Sequence, residues 1–470
     1  MTNWFLNRSR ELAELRAVAA RRGPQFVVVY GRRRIGKTAL LTHLTDVYPG
    51  GPHFYWTAHR STRDLLLAGW SRRFRDQLTP ERAAFTFEDW EAALRELFVR
   101  ARRQRLIAVL DEYPYLVESV PELPTLLQRL WDEHARSSHL MLVLCGSHFH
   151  MMQAELLSPA GPLYGRSTAA LLLEELEPEA MQLFLPAYSP EQLVATYAVI
   201  GGVPKYLELW NDRVPVQRNV RELLLSPSTL FRHEALMLIQ DEISEPRTYL
   251  AVLEALGAGL RAPMALAAST GLRINHLGKY LSTLLGLRLV RRVVSEDAPN
   301  KANPRLSRYE IRDSFLRFHF EFLQRYPSLL EQNRVDRLAS IIAEGFDAFV
   351  GKTAYEELAR RRIAALGDAG ELPFVPATVG RAWTRSAELD VVAMSGDDNS
   401  LLVGECKWQS RKLAPAVLDD LQRRVMRFGR LHRRQLRYAL FSRSGFTGPL
   451  ERRAAKEGVL LFEGAELRQV

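Results

Sequence analysis

Hydrophobic residues in the first third of the chain fall into short runs that end in glycine or in charged residues. The clearest runs are residues 26–30, 106–110 and 140–145. Consecutive apolar positions over this length are typical of strands buried on both faces of a parallel sheet. A helix is predicted directly after the first run, so the pattern indicates an α/β domain.

The pattern changes in the rest of the chain. Residues 246–294 show the spacing of short amphipathic helices that end in a strand-like segment. Residues 389–393 and 401–408 are two apolar strands about a hairpin apart, and later apolar runs at 436–441 and 458–462 complete the strand pattern. The C-terminal part is therefore predicted to be a second, small α/β sheet.

A glycine-rich loop with the sequence GRRRIGKT follows the first run, at residues 31–38. It is a complete GxxxxGK[ST] pattern, in which glycines let backbone N–H groups close around phosphates. Lys37 is expected to reach the β- and γ-phosphate oxygens, and Thr38 offers a hydroxyl to Mg²⁺. The alternative, a chance match in a basic loop, is disfavoured by the preceding strand. The predicted nucleotide-binding residues of the loop are Gly31, Arg34, Ile35, Gly36, Lys37, Thr38 and Ala39.

Polar groups follow the next two runs. Asp111 is expected to be a Mg²⁺ ligand together with Thr38, and Glu112 is the candidate catalytic group that polarises the attacking water. An open alternative is that these two acids form a charge pair at a helix N-terminus. The third run ends at Gly146, so Ser147 is a candidate sensor of the γ-phosphate, ahead of His148.

Two downstream segments place single basic residues in Gly/Pro loops. Arg166, in PLYGR at 162–166, would approach a γ-phosphate on its own molecule or on a neighbour, and a surface arginine in a turn is an equal alternative. The segment GGVPKYL at 201–207 opens a helix after a turn. We expect it to couple a helical lid to the nucleotide, with Lys205 as the charged contact.

These motifs together resemble the archaeal-type P-loop ATPases of the AAA+/STAND group. The resemblance covers residues 1 to about 240 and includes FLNR at 5–8, the GRRRIGKT loop, LDEYPYL, the GS strand end, PLYGR and GGVPKYL, in that order. It implies bound ATP with Mg²⁺. It also implies that Asn7 and Arg8 lie near the adenine.

Chain length, net charge and cysteine content limit the number of domains and the kinds of site. A chain of 470 residues exceeds one ordinary core, so two to four domains are expected. The net charge of +10 favours a polyanionic partner only weakly until the charges are shown to cluster. Only Cys145 and Cys406 occur, which excludes a disulfide framework and a cysteine-rich zinc site. With no signal-peptide core and no apolar stretch of about 18 residues, a soluble, cytoplasmic protein without a membrane partner is expected.

The middle of the chain has the pattern of a winged helix-turn-helix. Its second helix would carry Arg273, Asn275, His276 and Lys279 toward a duplex. A helical protein–protein module is an equally good interpretation. The aromatic stripe at 309–318 is expected to be an interdomain connector.

Carboxylates gather near the end of the chain. On a strand, Glu405 and Lys407 face the same side, next to Asp390 on the adjacent strand. Asp390 and Glu405 are predicted metal ligands, with Lys407 beside the water and Glu356 as a further acid. The arrangement resembles the D-(x)n-ExK signature of restriction-endonuclease-like nucleases, which implies a Mg²⁺-dependent catalytic site formed by Glu356, Asp390, Glu405 and Lys407. Loss of catalysis with retention of DNA binding is an open alternative.

A basic stripe is predicted directly after this site. Arg423, Arg427, Arg430 and Arg434 have spacings of four, three and four, which would place them on one helical face. Such a face could track phosphates by releasing counterions. A solvated basic face is the alternative.

The predicted architecture is α/β: a P-loop, AAA+-like ATPase core (1–175), a helical lid (176–240), a winged helix-turn-helix with its connector (246–325) and a restriction-endonuclease-like domain (340–470). The predicted function is ATP hydrolysis that controls DNA binding and Mg²⁺-dependent DNA cleavage. The alternative is a STAND-type switch that binds protein or DNA partners without cleaving. Homo-oligomers and protein partners stay open.

Overall fold

The computed structural model describes residues 6–298, 307–397, 399–429 and 431–465, with only the backbone described at residue 157. The chain divides into two compact units. The first comprises Met1–Leu176 together with Val203–Lys205, and the second comprises Glu177–Gly202 together with Tyr206–Val470.

The first unit is built on a five-stranded parallel sheet. Its strands are β1 Gln25–Tyr30, β2 His53–Thr57, β3 Leu106–Asp111, β4 Leu140–Gly146 and β5 Ala169–Leu172, in the order β2-β3-β4-β1-β5. β3 and β4 are buried along their whole length, as expected for parallel strands covered on both faces. The predicted parallel α/β sheet is confirmed.

Helices cover both faces of this sheet. They are α1 Ser9–Ala19, α2 Lys37–Val47, α3 Arg63–Leu78, α4 Trp90–Arg100, α5 Tyr113–Ser119, α6 Leu123–His134 and α7 Phe149–Met152. The apolar residues of α1 and α2 pack against one face, and those of α3, α4, α5 and α6 against the other. The two cores hold the carboxyl ends of β1, β3 and β4 in register, with Tyr30 beside Gly146.

The second unit begins with short helices, α8 Met181–Phe184, α9 Pro190–Ile200, α10 Pro204–Leu209, α11 Val216–Asn219 and α12 Phe231–Gln240. The first two residues of α10 belong to the first unit. Three helices and an antiparallel hairpin follow: α13 Arg247–Gly257, α14 Pro263–Thr270, α15 Ile274–Gly286, β6 Val290–Val294 and β7 Ser307–Ile311. This order is compatible with the winged helix, which stays a prediction.

The C-terminal part of this unit holds a mixed five-stranded sheet. Helices α16 Ser314–Phe318, α17 Pro327–Glu331, α18 Val335–Val350 and α19 Glu356–Asp368 precede it. Its strands are β8 Pro376–Trp383, β9 Glu388–Ser395, β10 Ser400–Lys407, β11 Gln435–Ser442 and β12 Leu460–Glu463, with α20 Ala416–Val425 and α21 Gly448–Glu457. The order is β12-β11-β10-β9-β8; β8, β9 and β10 are antiparallel neighbours, whereas β10, β11 and β12 are parallel.

Partly buried ion pairs join the hairpin to the C-terminal part. Arg291 on β6 contacts Glu357 on α19 at 2.9 Å and Glu310 on β7 at 3.4 Å. Arg381 on β8 also pairs with Glu310. Burial alone would raise the pKa of Glu357, but the charges of Arg291, then Arg317 and Arg361, outweigh it and lower the pKa to about 2. The segments predicted as separate modules are thus held together by charged contacts.

The predicted arginine stripe is wrong. Helix α20 ends at Val425, so Arg427 and Arg434 lie beyond it, and residue 430 lies outside the described residues. Beyond the helix, Phe428 and Leu431 are buried in the core, and the chain then enters β11 at Gln435. Periodicity along the sequence therefore does not place these arginines on one face.

Candidate functional site

The phosphate loop closes tightly between β1 and α2. Gly31 has φ 149°, and a Cβ atom there would lie 2.3 Å from the carbonyl oxygen of Leu173. Gly36 and Arg34 have φ values of 90° and 69°. Such conformations turn successive N–H groups toward one concavity at the N-terminus of α2, which is an arrangement that binds anions. Ile35 is buried in the loop, whereas Thr38 and Ala39 in the first turn of α2 are exposed.

Lys37 spans the loop. Its Nζ donates to the carbonyl oxygens of Gly31 and Arg32, both at 2.9 Å. The side chain is only 6% exposed, and burial lowers the pKa of its ammonium, an effect opposed by the nearby Cys145, Glu112 and Asp111. The charge of Lys37 therefore lies at the concavity into which the loop N–H groups point.

Asp111 ends β3 beside Thr38. The Thr38 hydroxyl donates to Asp111 Oδ2 at 2.8 Å, and the Tyr55 hydroxyl on β2 donates to the same oxygen at 2.7 Å. The carboxylate is 1% exposed, and its Oδ1 accepts the N–H of Glu112 at 3.0 Å. A hydroxyl and a carboxylate this close are oxygen ligands of the kind that Mg²⁺ uses alongside nucleotide phosphates, so the residues fit that ion.

Glu112 and Ser147 meet at the ends of neighbouring strands. Ser147 Oγ donates to Glu112 Oε2 at 2.8 Å. Glu112 has φ 52°, a conformation that costs free energy for a residue other than glycine and is often found at functional sites. Although Glu112 precedes α5, its side chain makes no capping hydrogen bond there. This geometry favours the role of water activation over that of a helix-terminal charge pair.

Arg8 contacts the backbone of the phosphate loop. Its guanidinium donates to the carbonyl oxygen of Ile35 at 3.0 Å and to that of Glu174 at 2.6 Å, and it pairs with Glu11 at 2.7 Å. Asn7, with φ 52°, directly precedes it. Arg8 is thus adjacent to the loop, while contact of Asn7 and Arg8 with adenine stays a prediction.

Arg166 lies at the opposite end of the sheet. Thr168, two residues later, bonds to Phe26 at the amino end of β1, and Arg166 itself pairs with Asp132 at 2.7 and 2.9 Å. The four-residue step from Phe26 to Tyr30 spans about 13 Å at the rise of a strand. Arg166 is therefore too far away to serve its own loop, and a contact with a neighbouring molecule stays a prediction.

The segment Val203–Lys205 packs on the phosphate loop. The N–H of Lys205 donates to the carbonyl oxygen of Arg34 at 3.4 Å, and a Cβ on Gly36 would lie 3.9 Å from Pro204. The side chain of His148, beyond Ser147, is buried against Tyr115, with ring centroids 5.3 Å apart. The GGVPKYL segment thus lies at the phosphate loop, whereas His148 packs against Tyr115.

The predicted C-terminal residues come together at a cleft of about 370 Å³. Glu356, Asp390 and Lys407 line it, together with Arg261 and Lys352. The pairing of β9 with β10 ends at Gly404 and Val391, and beyond this point Asp390 Oδ2 accepts the N–H of Cys406 at 2.9 Å. Glu356 starts α19, directly after one wide helical turn at Gly351–Tyr355.

Burial and neighbouring carboxylates dominate the electrostatics of this cleft. Burial, then the charges of Glu356 and Glu405, raise the pKa of Asp390 well above its usual range. Burial also raises the pKa of Glu356, despite the nearby Arg360. The charged forms of these two carboxyls are therefore less favourable than those of exposed acids, and a cation would offset this cost.

Protein cations already hold Glu405, which is 2% exposed. Lys407 Nζ lies 2.7 Å from its Oε1, and the Arg424 guanidinium lies 2.5 Å from its Oε2. Across the ranges that the structure describes, no group of three or more His, Cys, Asp or Glu residues could hold a metal ion. The three carboxylates are neighbours, but as placed they do not fit the predicted metal site.

Two residues of these sites were missed by sequence reasoning. Tyr55 lies on β2, which carries no motif. The alternating pattern of HFYWT could have indicated a strand with the tyrosine on one face. Arg424 is one of two adjacent arginines in α20, and nothing in the sequence singles it out. Both contacts join residues that are far apart along the chain.

Comparison with known proteins agrees with the geometry. Residues 5–209 match a family described as an ATPase domain predominantly from Archaea. Residues 5–209 are thus similar in sequence to an archaeal ATPase domain. A Walker-type ATPase of Pyrococcus abyssi superposes with a TM-score of 0.51 at 16% identity, covering 67% of this chain and 96% of that one. The ORC1 protein of Aeropyrum pernix, solved in complex with DNA, superposes with a TM-score of only 0.35 at 16% identity, over 69% of this chain and 94% of that one.

Part of the second unit matches a protein family whose function is unknown. Residues 319–417, which include Glu356, Asp390, Glu405 and Lys407, match a family described as archaeal and bacterial proteins of unknown function. An uncharacterized protein of Methanocaldococcus jannaschii is 29% identical over 410 residues, covering 87% of this chain and 88% of that protein. In the described part of the chain, no helix has the length and apolar character needed to cross a membrane.

Proposed function

We propose that the first unit hydrolyses ATP and that the second unit binds nucleic acid. The observation that carries the proposal is the pair Asp111 and Glu112 at the end of β3, with Asp111 bonded to Thr38 and Glu112 bonded to Ser147. A metal-bound triphosphate at the phosphate loop would then have a carboxylate nearby that can orient a water. Thr38 and Asp111 would hold Mg²⁺, which supplies neutralisation of phosphate charge.

Each site residue of the first unit has a distinct role. The loop N–H groups and Lys37 bind phosphate oxygens, and Asp111 would hold the Mg²⁺ ion together with Thr38. Glu112 takes a proton from the water or positions it, and Ser147 holds the Glu112 carboxylate through their 2.8 Å hydrogen bond. Arg8 keeps the loop in place through the carbonyl oxygen of Ile35.

The start of α15 supports the nucleic-acid part of the proposal. Arg273, Asn275, His276 and Lys279 are exposed within two turns of one helix. Basic and amide side chains at the N-terminal end of a helix are the groups that contact phosphates and base edges. A protein partner on the same surface is the competing outcome.

The segment Val203–Lys205 supports coupling between these activities. It belongs to the first unit, although the residues before and after it belong to the second. Its N–H contact with Arg34 means that a change of the phosphate loop would act directly on this stretch of chain. We therefore expect ATP and ADP to give different affinities for nucleic acid.

DNA cleavage by the C-terminal part stays a prediction. Glu356, Asp390 and Lys407 line one cleft, which favours it, but the ion pairs of Glu405 with Lys407 and Arg424 disfavour a metal there. A STAND-type switch without cleavage likewise stays a prediction. A cytoplasmic location and the formation of homo-oligomers are likewise proposals.

Fluorescence anisotropy with labelled duplex and single strands tests the binding proposal. The parent chain and the double variant Arg273→Gln/Lys279→Gln are titrated across a range of salt, with ATP or ADP and Mg²⁺. A matched control is Arg102→Gln/Arg103→Gln, two exposed arginines of the first unit. If both α15 residues contact phosphates, the salt slope flattens by up to about 1.8 log units in the α15 variant alone.

Two outcomes would contradict the proposal. Unchanged affinity and slope in the α15 variant would show that this helix does not contact nucleic acid. Absence of binding to every strand form would remove the nucleic-acid partner altogether. Nicking of plasmid in parallel samples with Mg²⁺ or Mn²⁺, lost in Asp390→Ala, would establish cleavage.

A further inference from the structure

The Tyr55 hydroxyl contacts the buried carboxylate of the ATPase site from outside all of the sequence motifs. It donates to Asp111 Oδ2 at 2.7 Å, the oxygen that also accepts the hydrogen bond from Thr38 at 2.8 Å. Tyr55 belongs to β2, the edge strand next to β3. Asp111 is therefore held from two sides, by the phosphate loop helix and by an independent strand.

The strand register explains why this tyrosine reaches Asp111. Thr57 pairs with Asp111 and Tyr55 pairs with Val109, so Tyr55 is two residues from the position opposite the carboxylate. Side chains two residues apart on a strand share a face, and a diagonal neighbour lies within reach of a tyrosine. The sheet geometry thus brings the hydroxyl to Asp111 without any help from the loop.

The rest of Tyr55 is fixed in place. Its N–H donates to Gln77 at 2.8 Å, and its carbonyl oxygen accepts from Arg73 at 3.1 Å, both from α3. Its ring packs against the apolar cluster formed by α1, α2 and the sheet. A tyrosine with both backbone groups bonded and its ring packed has little freedom to withdraw the hydroxyl.

We propose that Tyr55 is a positioning residue for Asp111, orienting the carboxylate that would hold the Mg²⁺ of the bound nucleotide. This inference rests on the proposed ATP site. Thr38 lies in the helix turn that closes on phosphates, so its hydrogen bond depends on the loop, whereas the Tyr55 bond does not. Partners that orient a metal ligand commonly contribute tenfold or more to metal affinity or activity.

The test is Tyr55→Phe, which removes only the hydroxyl. A fluorescent ATP analogue is titrated with and without Mg²⁺, and the Mg²⁺ dependence of phosphate release is measured on the same protein. The half-saturating Mg²⁺ concentration is expected to rise about tenfold. Nucleotide affinity without Mg²⁺ and the rate at saturating Mg²⁺ should stay within about twofold of the parent, because the Tyr55 hydroxyl acts through its hydrogen bond to Asp111.

Tyr48→Phe is the matched control. Tyr48 packs against the same apolar cluster, but its hydroxyl donates to the carbonyl oxygen of Ala19 at 3.2 Å instead of to Asp111. The control should leave the Mg²⁺ dependence unchanged. In an Asp111→Asn background, Tyr55→Phe should have no further effect on Mg²⁺, because its route of action has been removed.

Each remaining outcome counts against the proposal. An unchanged Mg²⁺ dependence in folded Tyr55→Phe would overturn it, and so would an equal shift in the Tyr48 control. A Tyr55→Phe chain that does not fold would show that the hydroxyl is structural. If the parent binds Mg²⁺-nucleotide without hydrolysing it, ATP hydrolysis is refuted while the binding titration still tests Tyr55.

Discussion

Replacing Glu112 with glutamine should separate ATP binding from ATP hydrolysis. The amide oxygen can accept the same hydrogen bond from Ser147 that the carboxylate accepts at 2.8 Å. Glutamine also has the same branching, so the backbone at φ 52° is equally strained in the variant. The substitution therefore removes the negative charge and the ability to take a proton while preserving the shape of the site.

The magnitude follows from the role of a general base. Such a group contributes about 10²–10⁴ to the rate, which corresponds to about 2.7–5.5 kcal/mol of transition-state stabilisation. We expect kcat for ATP to fall by at least about 100-fold in Glu112→Gln. The Kd for Mg²⁺-ATP should stay the same or become tighter, because one negative charge beside the phosphates is removed.

Steady-state phosphate release and titration with a fluorescent ATP analogue measure these two quantities on the same preparation. Ser147→Ala is the companion variant, since it removes only the hydrogen bond that orients Glu112. A hydrogen bond to a charged group contributes about 1.5–3 kcal/mol, so a loss of roughly tenfold or more in kcat is expected. Turnover by Glu112→Gln within threefold of the parent would refute the reasoning and return Glu112 to a structural role.

Three other substitutions test separate parts of the chain. Lys37→Ala should weaken ATP binding at least about tenfold in the same titration, because the buried ammonium of the phosphate loop is lost; unchanged affinity would remove Lys37 from the site. The pKa of Glu357 is lowered to about 2, so its stabilisation is fully present above its unfolded value near 4.5 and is lost as the pH falls toward 2. Glu357→Gln should therefore lower the free energy of unfolding by roughly 3 kcal/mol at pH 7 but much less at pH 3, measured by urea denaturation; an equal loss at both pH values would contradict this. Arg424→Met should lower the melting temperature without metal and make it rise with Mn²⁺, because an oxygen of Glu405 is freed. Arg423→Met, one residue away and 75% exposed, is the control, and no response of either variant to Mn²⁺ would show that the cleft does not bind metal.

Local patterns were enough to predict the phosphate loop and the acids that follow β3. The phosphate loop lies within eight consecutive residues, Gly31 to Thr38, and its conformation depends on glycines and a helix start that the sequence states directly. Asp111 and Glu112 directly follow a fully buried strand. In a parallel sheet the carboxyl ends of strands meet at one edge, so the grouping of these residues with Ser147 follows from the element order.

Contacts between elements that are far apart along the chain could not be predicted from the sequence. Tyr55 reaches Asp111 because β2 pairs with β3 in one particular register, and Arg424 reaches Glu405 because α20 packs across β10. Neither partner has a spacing that marks it. The position of Arg166 at the far end of the sheet also depended on how β5 pairs with β1.

Thus the sequence by itself determined the phosphate-loop pattern and the position of Asp111 and Glu112 at the end of a buried strand, because both are coded in short contiguous motifs. Only the tertiary structure decided where α20 stops and which charges surround the C-terminal acids. Helical periodicity alone would place Arg423 to Arg434 on one face of a helix, whereas the helix in the structure ends at Val425. The alternation of Glu405 and Lys407 predicts that they share a face, but the pairing of Glu405 with Arg424 depends on three-dimensional packing alone.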